Sequence, residues 1–458
     1  MPRLSMSAIS SRPGAWFARW GPILPLLLAE FVLWLGFGAM LPILPLYFLA
    51  HGIDLAMLGL VVAAWPAARL VAEPIFGWVA DRTARKPIMV GALLASAVVV
   101  PLPLVFITPT AFILLRAAAG LATAAYDPAA RGYLVDATPA ERRGEAFGLY
   151  GASQMAGLLI GPALGGLGTA FTGSDTFVFG LGGIASLAAG LVVATVVRER
   201  PLLRAGTRVP PEGVAEMSSP VPASRRAAAT DSEASTSAGA EGALPMPAVP
   251  RSLANRLIVA AIVINAGSFF ASGTYEVVWS LYLRSLGAGL NLIGATFAVF
   301  GIPILVLSPF AGRFVDRRGG LVLIVLGSLM PIIAGILYTL IRDPVLAIPI
   351  ILLESTGVAI ASPALYAVVA AGSPPDRSAT AQGVFGAAGT VGFIASSLVA
   401  GQLASVDLRY PFWMFSAVMS LTLVIGLAIG WRPIGSIRPA RGGAARRVAA
   451  PDSPHPTG

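Results

Sequence analysis

Residues 77–87 read GWVADRTARKP and residues 312–320 read GRFVDRRGG; their aspartates, Asp81 and Asp316, lie 235 positions apart. Each stretch sets a glycine four residues ahead of an Asp-Arg pair, between apolar runs long enough to span a bilayer as a helix. In a chain that is only 12% charged, the first stretch spends Asp81, Arg82, Arg85 and Lys86 within six positions. One such loop is explained by basic residues marking the inner face of a membrane. Its recurrence at an equivalent place calls for a repeat.

The repeat is there. The same offset carries Tyr47 onto Tyr282, Gly59 onto Gly294, Pro74 onto Pro309, Pro128 onto Pro363, Gly157 onto Gly392 and Gly166 onto Gly401. One ungapped register across five helices predicts two parallel copies of a six-helix unit, related by an axis along the membrane normal. Candidate helices fall at about 22–49, 57–79, 87–107, 110–131, 144–170, 177–197, 256–284, 291–312, 320–341, 345–370, 380–404 and 410–431. The expected fold is therefore an all-α membrane protein of twelve transmembrane helices. Its halves are 22–197 and 256–431, with an N-terminal segment 1–21 and a tail 432–458. The Pro-, Ala- and Ser-rich stretch 198–255 cannot bury enough apolar surface to offset its ordering entropy and is expected to be a disordered linker, as is the tail.

Composition agrees. Of 458 residues, 56% are hydrophobic, and the charged share is half the roughly 25% of a soluble domain. The basic start (Arg3, Arg12, Arg19) precedes an apolar run too long for a signal peptide, which predicts an uncleaved first span. The net charge of +9 reads as topology rather than nucleic-acid binding: 26 of the 31 Lys and Arg fall on the side of the termini and the 77–87 loop, and 3 on the other. Both termini are expected in the cytoplasm of a bacterium, with the protein in its inner membrane. No cysteine is present, the histidines are only His51 and His455, and the sole lysine, Lys86, precedes a proline. No metal site, cofactor or ATP-binding P-loop is expected, so uphill transport would draw on an ion gradient.

Outside linker and tail, the sequence resembles the major facilitator superfamily. GWVADRTARKP looks like that family's loop between helices 2 and 3, with Ala84 where the family often has glycine. The resemblance implies that Gly77, Asp81, Arg82 and Arg85, with Gly312, Asp316 and Arg317 in the second copy, form a cytoplasmic gate latched while the cavity faces outward. GLLIGPALGG puts Gly157, Gly161 and Gly165 one turn apart, with Pro162 bending the helix and Gly166 alongside. Close helix packing is sufficient reason for that spacing. The stretch is also similar to the helix-5 motif of drug:proton antiporter branches, as LPILPLYF (41–48) is to their helix 1.

Intramembrane charges mark function by default. They are Glu30, Arg69, Glu73, Arg116, Asp127, Glu276 and Glu354. In the family fold helices 1, 4, 7 and 10 line the central cavity, which takes in five of these seven. Arg69 with Glu73, and Asp127 with Arg131, sit four apart and read as structural ion pairs. Glu30 has no charged neighbour at helical spacing and matches neutral Asn265 in the repeat. Its two readings are a proton-exchanging group and a hydrogen bond to a neighbouring helix. Glu354 is the second proton-coupling candidate, and RAAAG (116–120) resembles a helix-4 motif whose arginine, Arg116, is a third. Glu276, near its helix end, is a fourth, with simple solvation as the other reading. Trp34, Tyr126, Phe269, Tyr275, Trp279 and Tyr366 are candidate cavity walls, apolar surfaces suited to a lipophilic or cationic ligand. Together these imply a monomeric, non-enzymatic antiporter in the bilayer, exchanging small lipophilic compounds for protons by alternating access. The competing reading is a sugar or other metabolite transporter of the same fold, by export or proton symport.

Overall fold

The computed structural model describes residues 19–139, 142–198, 254–374 and 378–435. Most of the N-terminal segment, of the expected linker and of the tail lies outside those residues. Twelve spans result when a bent pair counts as one. They are α1 (Leu24–Met40 with Leu44–Ala50), α2 (Leu55–Ala80), α3 (Arg85–Val99), α4 (Pro109–Ala137), α5 (Arg143–Thr172) and α6 (Thr176–Val196). The second six are α7 (Arg256–Ser285), α8 (Leu290–Arg318), α9 (Leu321–Tyr338), α10 (Ala347–Gly372), α11 (Ser378–Ala404) and α12 (Tyr410–Gly435).

Local chemistry sets several of the starts. Asp54 accepts the Met57 amide at 2.6 Å and Thr108 the Ala111 amide at 3.2 Å, while Asn255 accepts both Leu257 and Ile258. Each supplies one of the acceptors that a helix N-terminus lacks. The first span is not one straight helix as expected: its parts meet at 44°. Pro42 and Pro45 are the cause, since neither can donate to the helical ladder. Their repeat partners are Val277 and Ser280, and α7 runs unbroken through them.

The 235-residue register survives as geometry. The Tyr47 hydroxyl donates to the Pro103 carbonyl at 3.0 Å, and the Tyr282 hydroxyl to that of Tyr338. Both the donors and the acceptors are repeat equivalents. Between the halves, α2 packs on α11 and α5 on α8, again as equivalents. A Cβ added at Gly166 would lie 2.6 Å from the Leu290 carbonyl oxygen, and one at Gly294 2.5 Å from that of Pro162. Gly59 and Gly401 meet α11 and α2 in the same way.

These contacts all lie at the end opposite the 77–87 turn. At the turn end, added Cβ atoms at Gly148, Gly151, Gly312, Gly383 and Gly386 would meet nothing within 4 Å. The halves are therefore closed together at the far end and apart at the turn end. Outward-facing Val71 (70% exposed) and Phe310 (61%) fit a hydrocarbon surround, where such exposure costs nothing.

Candidate transport site

Two cavities open inside the bundle, one in each half. The N-half cavity, about 80 Å³, is walled by Trp34, Phe37, Phe48, Trp65, Tyr126 and Phe179, with Arg116 and Asp127 as its charged members. Phe37 stacks on Trp65 at 5.5 Å, and the Arg69 guanidinium lies 4.7 Å from the same indole. The C-half cavity, about 260 Å³, is larger and more polar: Asn265, Ser268, Ser272, Ser328 and Ser362 share its wall with Phe269, Tyr275, Tyr366 and Glu354. Trp279 lies outside both walls. Its indole N–H donates to Thr296 at 2.9 Å and its ring packs against Tyr275 and Tyr338, which makes it a core anchor of α7 on α8 and α9.

The two lone carboxylates are held differently. Glu30 is fully buried and accepts from Tyr150 (2.6 Å) and Gln154 (2.9 Å) on α5 and from Trp34 (3.1 Å). Its repeat partner Asn265 donates to the carbonyl of Phe385, itself the partner of Tyr150, so both positions tie the first helix of a half to its fifth. Glu354 faces the C-half cavity and accepts from the hydroxyls of Tyr275 and Tyr338, each at 2.8 Å. Among the described residues, no cation pairs with either.

The remaining membrane charges form ion pairs. Arg69 meets Glu73 at 2.6 Å, and Asp127 lies 3.6 Å from Arg131. Arg69 also reaches Asp127 at 2.5 Å, joining the two pairs into one cluster between α2 and α4. Helical spacing could not show that link. Arg116 pairs with Glu276 at 2.7 Å across the halves, both about one-tenth exposed. Glu276 is thus not solvated.

At the turn end, Asp81 ends α2 and α3 begins after Ala84 with no side-chain cap. A capping role for the aspartate, one reason for it at that place, is not realised in this conformation. Arg82 donates to the Trp78 carbonyl and lies over that indole at 4.1 Å. Arg85 meets Asp136 at 3.1 Å and covers Gly132, pinning the turn to α4. Gly77 faces Pro128, and Gly312 open space. Asp316 and Arg317 fall in the last turn of α8, and their side chains lie outside the described residues. Gly157, Gly161 and Gly165 bring α5 against the α1 backbone: an added Cβ would come within 2.5 Å of the Phe31 carbonyl oxygen at Gly157 and of the Leu35 one at Gly161.

Two six-helix copies, closed together at one end around charge-bearing cavities, define a polytopic membrane transporter. The Major Facilitator Superfamily model matches residues 26–272 and 261–454, and the chain belongs to that superfamily. The Staphyloferrin B transporter of Staphylococcus aureus (strain NCTC 8325 / PS 47) is 31% identical over 160 residues, 34% of this chain and 38% of that protein. The Quinolone resistance protein NorA of S. aureus (strain MRSA252) is 29% identical over 136 residues, 30% of this chain and 35% of that one. The chain thus spans little more than a third of these relatives. In fold it is similar to a bacterial homologue of the human lysosomal transporter Spinster, in an inward-facing and occupied conformation (TM-score 0.67, 15% identity, 91% of this chain and 97% of that). It is also similar to the nucleoside transporter NupG (TM-score 0.65, 14% identity, 89% and 98%).

Proposed function

We propose that the protein exports small lipophilic compounds, cations among them, in exchange for protons, with the 77–87 end in the cytoplasm. The basic bias of that end supports the orientation, and it makes the present conformation inward-facing. Glu354 carries the reading. A carboxylate buried to 3% exposure is costly unless it holds a counter-charge. Hydroxyls alone hold it here, so it can take a proton or an organic cation, and one excludes the other. The aromatic wall of the N-half cavity supports a lipophilic substrate. Asp81, Arg82 and Arg85 act at the gate when the cytoplasmic end closes, and Glu30 is the second proton-binding candidate.

Expression in an efflux-deficient bacterium tests this reading. Raised resistance with lowered accumulation of lipophilic compounds is expected. Unchanged accumulation together with growth on a sugar or other metabolite would move the assignment to the metabolite-transporter reading.

A further inference from the structure

Equivalent positions of the repeat wall the two cavities with opposite chemistry. Leu33, Phe37 and Ala119 on the N-half wall correspond to Ser268, Ser272 and Glu354 on the C-half wall. The C-half groups have already spent their protons. Ser268 donates back to the Ile264 carbonyl and Ser272 to that of Ser268, while the Asn265 amide donates to the Phe385 carbonyl. Tyr275 and Tyr338 both donate to Oε2 of Glu354, and Oε1 is the oxygen left to the cavity. What these side chains still offer is lone pairs, on a carboxylate, two hydroxyls and an amide. A wall of acceptors calls for a ligand built of donors, and its lone carboxylate calls for a cation. The N-half wall makes no such demand, since its carboxylate, Asp127, is held by Arg69 and Arg131.

We propose that the C-half cavity binds the head of an N–H-bearing ammonium ion, primary or secondary, and discriminates against quaternary ones. One N–H donates to Oε1 of Glu354, a charge-assisted bond roughly twice as strong as a neutral one. The remaining donors meet Ser268 and Ser272, one turn apart on α7. A trimethylammonium head carries the same charge but no donor. Its methyl groups hold that charge off the carboxylate and leave the hydroxyl and amide oxygens desolvated without partners, the situation in which a hydrogen-bonding site rejects an analogue most strongly. The cavity, about 260 Å³, is smaller than the roughly 300–1,000 Å³ of sites for drug-sized ligands. It therefore takes the head and leaves the apolar body outside. This deepens the export reading and rests on it for transport and its direction. It names the cation class that competes with the proton at Glu354.

The test uses the full-length protein in lipid nanodiscs and two fluorescent probes, dansylcadaverine and its N,N,N-trimethyl derivative. They share fluorophore, spacer and charge and differ in N–H donors alone. The wild type should bind the primary amine at least about tenfold more tightly. Glu354→Gln should weaken the primary amine about tenfold or more and bring the two probes within about threefold of each other. Ser268→Ala combined with Ser272→Ala keeps the carboxylate and removes only hydroxyl acceptors. It should weaken the primary amine several-fold and move the trimethyl probe less than about twofold, which a purely electrostatic site would not do. The proposal is overturned if the wild type binds both probes within about twofold, or if the serine pair and Glu354→Gln both leave their ratio unchanged. Should Glu354→Gln fail to fold, the serine pair decides alone. Failure of the export reading looks different: binding is selective as stated, yet neither probe crosses proteoliposome membranes.

Discussion

Glu30 and Glu354 are both buried carboxylates without a cation, yet they meet different partners. Glu30 receives three donors, two of them from α5, and reaches neither cavity. Removing its acceptor atoms orphans the buried Tyr150 hydroxyl, at about 1–3 kcal/mol, and leaves the half-buried Gln154 amide without its partner. Glu30→Leu should therefore lower the unfolding temperature in detergent well beyond Glu30→Gln, whose amide oxygen still accepts. Glu354 meets two hydroxyls at a cavity wall. Glu354→Gln keeps an acceptor for Tyr275 and Tyr338, so folding should be near wild type. Uphill transport should fall at least about tenfold while substrate exchange across the membrane continues, since tenfold corresponds to only ~1.4 kcal/mol of lost coupling. Parallel vesicle assays of Glu30→Gln and Glu354→Gln decide between the two candidates: the proton carrier is the one that loses uphill movement and keeps exchange.

At the scale of helices, glycine pattern separates permanent contacts from transient ones. Gly161 sits against the α1 backbone, and its added Cβ would fall 2.5 Å from the Leu35 carbonyl oxygen. Gly161→Val must push the helices apart, and a loss of several kcal/mol is expected, in the range of overpacked cores. Reduced yield and thermal stability would register it. Gly148 and Gly383, a repeat pair on α5 and α11, face open space. Valine there should be tolerated in this state, but would keep the turn end from closing as the far end does now. Label distances at the turn end should then stay long whatever ligand is added. Much of this was legible: the small-residue spacing foretold that α5 packs closely on a neighbour, though not that the neighbour is α1, and the aligned prolines foretold the repeat. The bend in α1 was missed because LPILPLYF was read as part of one span. The two prolines within four residues were the available signal.

For the molecule as a whole, the register of 235 fixed which surfaces meet, because equal sequences build equal faces and these pair about one axis. The Arg116–Glu276 bridge lies outside that logic. Its partners are 160 residues apart, and the position equivalent to Arg116 is Ile351. Such a pair exists in one conformation of two halves, and no local spacing encodes it. Nor does periodicity reveal how Arg69 joins two i,i+4 pairs across α2 and α4. The opening loop belongs at this scale too. Asp81 is exposed at an end that is now apart, so Asp81→Asn should leave insertion and stability unchanged and cripple turnover. Normal turnover at equal expression would reduce the loop to a topological marker. The central claim is that proton movement drives lipophilic compounds through this pair of cavities. Proteoliposomes carrying the purified protein and a lipophilic dye exported in the host assay test it most directly, with a pH gradient imposed by dilution. The account predicts dye accumulation in the acidic compartment, collapse of that accumulation by a protonophore, and matching proton efflux; equal dye distribution with and without the gradient would contradict it.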